Sequence, residues 1–257
     1  MGLTGSLQAV WDGGGAARGA WCAAPGPVTA EAVASTGFDY VCVDMQHGAV
    51  GYSDAVPMLQ AISGQGVTPL VRVRANDAAL IGRVLDSGAV GVVVPMVGSA
   101  EEAARAVAAC RYPPRGGRSY GPVRAAAVLG SRAPEDLERV VCLVMVETRE
   151  ALERVDEIAG TDGVSGIYIG PADLSLALGL PPAYEHDDPV HQEAVERIRD
   201  ACDRNGIIAG IHCDGGAMAA RRLRQGFGMV TVVNDLAALR AGVAAELAAA
   251  TVGPRAG

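Results

Sequence analysis

Five groups of polar residues in this chain each close an apolar, strand-like run: Asp44-Met45-Gln46-His47-Gly48, Arg72 with Arg74, Glu147, Gly170-Pro171-Ala172-Asp173, and His212. Hard cations such as Mg2+ take carboxylate oxygens and keep other positions open for water or substrate. Glu147 and Asp173 are therefore the candidate metal ligands. Each also has a structural reading: Glu147 as the start of a helix, favouring its dipole, and Asp173 as the N-cap of a helix-like stretch over 174–178. Imidazole exchanges a proton near neutral pH, which makes His47 the candidate acid or base. Asp44, three residues earlier, can fix its tautomer if the chain turns tightly there. The guanidinium fork of Arg72 suits a substrate carboxylate or a developing oxyanion. Arg74 lies two residues on and so on the same face of a strand; it either joins that site or pairs with a surface carboxylate.

Composition narrows the chemistry further. All 21 basic residues are arginine, so a lysine Schiff base, with a carbonyl substrate or with pyridoxal phosphate, is excluded. A Walker A lysine is excluded with it. Any enolate must be stabilised by something other than an iminium. The net charge of −8, without a basic run, argues against nucleic acid as a partner. No apolar run approaches the roughly 20 residues that span a bilayer, and the opening residues lack the basic and long apolar regions of a signal peptide. No membrane association and a cytoplasmic location are the expectation. The six cysteines show no CxxC pairing, and four sit in or beside apolar runs, which reads as buried free thiols in a reducing compartment.

The elements that must position these groups alternate along the chain. Strands are predicted over 18–23, 39–45, 68–74, 91–95, 141–147, 166–170, 207–211 and 229–233. Helices are predicted near 29–35, 53–63, 77–87, 99–110, 149–158, 189–205, 215–225 and 236–250, with Ser53, Asp77 and Ser99 as N-caps and Ser99-Ala100-Glu101-Glu102 as a capping box. Several strands are apolar on both faces, as parallel strands covered on each side must be. Eight such units in 257 residues fit one (β/α)8 barrel spanning 1–257, an architecture of about 250 residues whose catalytic groups lie at the C-terminal ends of its strands. An open doubly wound sheet is disfavoured because Gly13-Gly14-Gly15 precedes the first strand, and no Gly-x-Gly-x-x-Gly follows it. One long irregular segment, 111–131, carries Arg115-Gly116-Gly117-Arg118-Ser119-Tyr120. It either caps the site and binds a second anionic group or is a solvated crossover.

These motifs together resemble the HpcH/HpaI aldolase family, which includes 4-hydroxy-2-oxoheptanedioate and 2-keto-3-deoxy-rhamnonate aldolases. The resemblance is carried in order by Asp44-Met45-Gln46-His47-Gly48, Val71-Arg72-Val73, Leu85-Asp86-Ser87-Gly88-Ala89, Val94-Pro95-Met96-Val97, the run from Arg111 to Pro122, Glu147-Thr148 and Ile169-Gly170-Pro171-Ala172-Asp173-Leu174-Ser175. It implies a pyruvate-type barrel that exchanges its C-terminal helix with a neighbour, in a hexamer built as a trimer of dimers. It further implies Mg2+, Mn2+ or Co2+ held by Glu147 and Asp173, His47 as acid/base oriented by Asp44, and Arg72 on the pyruvate oxygens. Asp86 would support a water and proton network near a subunit boundary, and Gly170 and Ala172 would offer backbone contacts to substrate. Two positions depart from the family pattern: Gln46 stands where members commonly have Glu, and Met145 where many have Gln. His212, near Asp214, is either a proton relay, a substrate contact or a structural histidine.

The expected activity is a divalent-metal-dependent aldolase joining or parting pyruvate and an aldehyde through 4-hydroxy-2-oxo acids. Two alternatives differ in class: a citrate-lyase-like enzyme acting on a CoA thioester, with Arg111, Arg115 and Arg118 for its phosphates, and a non-catalytic barrel binding a small acid. Because the chain has no lysine, borohydride added with pyruvate should leave every side chain unmodified by mass spectrometry. A reduced pyruvate adduct on a side chain would overturn the enolate chemistry expected here.

Overall fold

The computed structural model describes residues 7–250. The expected domain span of 1–257 and the N-terminal segment searched for a leader both extend outside that range. The described elements run α1(Leu7–Asp12), β1(Ala17–Cys22), α2(Pro27–Ala34), β2(Tyr40–Asp44), α3(Tyr52–Gly64), β3(Thr68–Arg72), α4(Ala78–Asp86), β4(Gly91–Val94), α5(Ala100–Cys110), α6(Ala125–Leu129) and α7(Pro134–Leu137). They continue as β5(Val141–Met145), α8(Arg149–Glu153), α9(Val155–Ala159), β6(Gly166–Ile169), α10(Pro171–Ala177), α11(Pro189–Asn205), β7(Ile208–His212), α12(Gly216–Arg224), β8(Met229–Asn234) and α13(Asp235–Ala249). The eight strands pair in parallel, each with its sequence neighbour, and β8 closes on β1, giving the expected (β/α)8 barrel.

Strand alternation divides the core. Trp21, Tyr40, Cys42, Leu70, Val93, Leu143, Met145 and Tyr168 fill the barrel interior, with Leu7 of α1 closing its N-terminal end. Val41, Val43, Val71, Val92, Val94 and Val144 face the surrounding helices. Small and large residues interlock inside: a Cβ on Gly19 would lie 2.2 Å from the Tyr40 ring, so β1 needs glycine there. All six cysteines are buried and free, and burial pushes the Cys22, Cys202 and Cys213 thiols up to about 12, which keeps them unreactive.

Local details differ from expectation for identifiable reasons. Asp77 does cap α4, accepting from the Ala79 and Leu80 amides at 2.9 and 3.0 Å. Ser99 caps α5, but Glu102 reaches back to the amide of Gly98 rather than that of Ser99. Ser53 is not a cap: Asp54 accepts from the Gly51 amide at 3.0 Å, so α3 starts one residue early, at Tyr52. The helix expected over 149–158 breaks at Arg154 into α8 and α9. The expected irregular segment 111–131 contains α6.

The C-terminal helix is the exception to the packed arrangement. Asn234 caps it, and the Asp235 carboxylate accepts from the Ala23 and Ala24 amides at 2.9 and 3.0 Å, pinning its first turn to the end of β1. Beyond Leu236 every described residue of α13 is exposed. Leu239, Val243 and Leu247, spaced four apart on one stripe, are 61%, 60% and 71% exposed. Among the described residues, no helix is long and apolar enough to cross a membrane.

Candidate active site at the barrel mouth

The cavity at the C-terminal ends of the strands has a volume of about 260 Å³ and collects Trp21, Asp44, His47, Arg72, Met145, Tyr168, Gly170, Asp173, Tyr184, His212 and Asn234. Two larger clefts lie elsewhere. One, of about 690 Å³, runs between α3, α4 and residues 119–124, and the other, of about 760 Å³, sits at the opposite end of the barrel beside Leu7 and Val141. Neither contains Asp173, which lines the mouth, or Gly170, against which Glu147 lies.

Glu147 lies two residues beyond β5, and its side chain is buried. It does not start a helix, since Thr148 caps α8 through its hydroxyl. One carboxylate oxygen, Oε1, accepts from the Met96 amide at 2.9 Å. That amide is aimed by a left-handed Met96, φ 56°, the one non-glycine positive φ among the described residues. Such strain, of order 1–3 kcal/mol, clusters at functional sites. The other oxygen, Oε2, is buried with no hydrogen-bond partner. Asp173 stands in the first turn of α10, whose N-cap is Gly170 and not Asp173. Burial, with the Asp173 charge adding to it, pushes the Glu147 carboxyl up to about 7, against the pull of the Met96 amide and Arg72. Gly170 is required by space: a Cβ there would lie 2.3 Å from Glu147 Oε2. A buried, unpaired oxygen beside a second carboxylate suits a hard divalent cation. The described residues contain no cluster of three or more His, Cys, Asp or Glu ligands. The protein's share of such a centre is therefore these two carboxylates, which leaves coordination positions for water and substrate.

Asp44 and Arg72 face each other in register at the ends of β2 and β3. Arg72 donates from Nε to Asp44 Oδ1 at 2.9 Å and from Nη2 to Oδ2 at 2.6 Å. Burial opposes ionisation of both groups, yet their pairing overrides it: the Asp44 carboxyl is held below its ordinary range and the Arg72 guanidinium is held charged. Removing one partner of such a buried pair typically costs about 3–5 kcal/mol. The fork leaves Arg72 Nη1 free of hydrogen bonds among the described residues, and the guanidinium carbon lies 5.2 Å from the centre of the Trp21 ring.

This pairing corrects the expected role of Asp44. Its Oδ1 accepts from the Gln46 and His47 amides at 3.0 and 3.3 Å, so it shapes the turn that carries His47 and orients Arg72. No hydrogen bond joins it to the His47 imidazole among the described residues. His47 itself is exposed at the cavity edge. Arg74 is exposed outside the site, because β3 ends at Arg72.

His212, the last residue of β7, lines the cavity. Its ring stacks on Tyr184 with centroids 5.5 Å apart and meets the Trp21 ring edge-on at 5.1 Å. Nδ1 lies 3.4 Å from the Tyr168 hydroxyl, which in turn bonds Thr231, itself 3.2 Å from the Tyr40 hydroxyl. Asp214 does not pair with it: that residue is exposed, with its amide on Met218 sulfur. Burial and the Arg72 charge push the His212 imidazole down to about 4, so it is neutral at pH 7.

Other expected contributors are dispersed. Asp86 ends α4 and pairs with Arg118 at 2.7 Å in the larger cleft, so within one chain it does not reach the cavity. Arg111 pairs with Asp162, Arg115 with Glu138 and Arg118 with Asp86, so the three do not converge on a phosphate or cap the mouth. Sequence reasoning missed Trp21, Tyr168, Tyr184 and Asn234. An aromatic at a strand end signalled Trp21, and the signal for Tyr168 was weaker because it lies inside β6; Tyr184 and Asn234 reach the site through loop and cap geometry alone.

Comparison with known proteins gives the chain's relatives. The family described as HpcH/HpaI aldolase/citrate lyase matches residues 18–241. The chain is 40% identical over 236 residues to a hydroxypyruvate/pyruvate aldolase of Rhizorhabdus wittichii, covering 91% of this chain and 94% of that protein. It is 41% identical over 231 residues to a pyruvate aldolase of Rhizobium etli, covering 87% and 89%. A crystal structure of an HpcH/HpaI aldolase/citrate lyase family protein from Burkholderia cenocepacia superposes with a TM-score of 0.87 at 32% identity, covering 95% and 98% of the two chains.

The depressed His212 pKa sets an acid-stability window. An unfolded histidine takes up its proton below about pH 6.5, whereas the folded ring refuses it until about pH 4. Folding stability from this residue is therefore complete above that window and is lost as pH falls through it. Urea midpoints at pH 7 and 4.5 should show a smaller acid loss for His212→Phe than for wild type, by ~2 kcal/mol after allowance for partial exposure. Equal losses would refute the buried neutral imidazole.

Proposed function

The chain belongs to the HpcH/HpaI aldolase/citrate lyase family and is an enzyme of the aldolase and lyase kind, and from that premise we propose a divalent-metal-dependent pyruvate aldolase. It cleaves 4-hydroxy-2-oxo acids to pyruvate and an aldehyde, or joins them. The observation that carries this reading is the buried, unpartnered Oε2 of Glu147 beside Asp173, tight against Gly170. Those carboxylates would hold Mg2+, Mn2+ or Co2+, which as a Lewis acid would polarise the 2-oxo carbonyl and supply the electron sink that a lysine iminium supplies elsewhere.

The chain's own residues do the rest. Arg72, its charge locked by Asp44, offers Nη1 to the oxygens of the 2-oxo acid. Gly170, whose missing side chain makes room for Glu147 Oε2, offers its backbone to substrate, and the Ala172 amide in the first turn of α10 is free to donate. His47, exposed at the mouth, takes the 4-hydroxyl proton in cleavage through a water and returns it in condensation. His212 contacts the substrate as a neutral ring. Asp86 reaches such a site only from a neighbouring copy. Six buried free thiols suit work in the reducing cytoplasm.

The assembly follows from α13. Its exposed Leu239, Val243 and Leu247 stripe docks on a second copy of the chain, exchanging the last helix in a closed homo-oligomer, a hexamer built as a trimer of dimers. Light scattering should show Leu239→Glu and Leu247→Glu shifting the protein to a smaller mass. An unchanged mass in both would remove the exchange.

A panel of 4-hydroxy-2-oxo acids, assayed for pyruvate release, checks the activity. EDTA should abolish release, one of Mg2+, Mn2+ or Co2+ should restore it, and Asp173→Asn should lower kcat/KM by on the order of 10³, the several kcal/mol that a Lewis acid contributes. Full activity after complete chelation would end the metal reading.

A further inference from the structure

One wall of the cavity comes from outside the strand ends. Tyr184 lies in the segment joining α10 to α11, 40% exposed, with its ring stacked at 25° on that of His212. Trp21 stands edge-on behind His212, so three rings form a continuous face from the barrel interior to solvent.

The segment holds Tyr184 from both sides. Glu185 is ion-paired with Arg221 and, at 3.5 Å, with Arg222 of α12, whose side chain is 8% exposed. The Ser175 hydroxyl, which donates to the Pro171 carbonyl at 2.7 Å, lies 3.3 Å from the Ala183 carbonyl, the His186 ring lies 2.7 Å from the Pro181 carbonyl, and Gln192 donates to the His186 carbonyl at 2.9 Å. The backbone on either side of Tyr184 is thus held, and the ring, two-fifths exposed, is set by its stacking on His212. That ring forms the solvent side of a cavity of about 260 Å³, with Trp21 and the Arg72 guanidinium deeper in. With the 2-oxo acid on the inner groups, Arg72 and Gly170, the outermost ring is left to the other reactant, which enters from solvent.

We propose that Tyr184 is a specificity-determining residue: its ring, backed by His212, limits the size of the acceptor aldehyde. The inference rests on the pyruvate aldolase reading. Glycolaldehyde and benzaldehyde serve as small and bulky acceptors, and the ratio of their kcat/KM values on one enzyme cancels any change in the donor half. Tyr184→Ala should raise the benzaldehyde to glycolaldehyde ratio about tenfold or more, the scale on which pocket size discriminates. Tyr184→Phe, which keeps the ring, should retain the wild-type ratio.

A Tyr184→Ala ratio within twofold of wild type would overturn the proposal, as would a Tyr184→Phe ratio matching that of alanine. Hydrogen–deuterium exchange of the pyruvate methyl group in wild-type protein, with no acceptor present, separates the two failures. Exchange with an unmoved ratio defeats the Tyr184 assignment alone; no exchange defeats the aldolase reading, and this assignment with it.

Discussion

The site is organised around a carboxylate that the fold keeps short of partners. Glu147 is buried, spends one oxygen on the Met96 amide and leaves the other unpaired against Gly170. Leaving a charged oxygen dry costs more than leaving a neutral one, because no water remains to solvate it. The protein meets part of that cost by protonation, which is why the group rises to about 7. It accepts further strain at Met96 to keep the one hydrogen bond in place. The proposed divalent cation would relieve the whole arrangement at once, since it would solvate Oε2, offset the repulsion from Asp173 and favour the ionised form.

Around this deficit the other charges are balanced. Asp44 and Arg72 neutralise one another by two parallel hydrogen bonds, so the guanidinium is rigid before substrate arrives. Its unspent Nη1 then acts as a directed donor rather than a mobile one. The aromatic side works differently. Trp21, His212 and Tyr184 present uncharged faces, and His212 stays neutral because burial and the nearby Arg72 both disfavour its protonated form. One cavity thus joins a charged pair and a carboxylate to an uncharged aromatic face.

The barrel is self-sufficient in its interior but not on its surface. Strand-to-helix packing accounts for the other flanking helices, whereas α13 is tethered by Asp235 and then leaves the body with an apolar stripe exposed. Asp86, which ends α4 in the cleft beside residues 119–124, likewise faces outward from its own site. An apolar stripe of this kind seldom stays in water, which is why the proposed assembly is built on α13.

Periodicity and composition alone determined the architecture. Runs apolar on both faces, such as Gly91-Val92-Val93-Val94, can only be covered parallel strands, and eight of them alternating with helices close into one barrel. The absence of lysine excludes an iminium on a side chain whatever the fold. The strand-end rule brought Asp44, Arg72, Glu147 and Asp173 to notice, because chemistry on this fold concentrates there. Which groups pair was decided by three-dimensional proximity: Asp44 chose Arg72 over the His47 ring because β2 and β3 lie in register at their ends. Tyr184 was invisible for a related reason. Its position depends on ion pairs between Glu185 and helix α12, some 36 residues downstream, and no local pattern encodes where a loop is held by a distant helix.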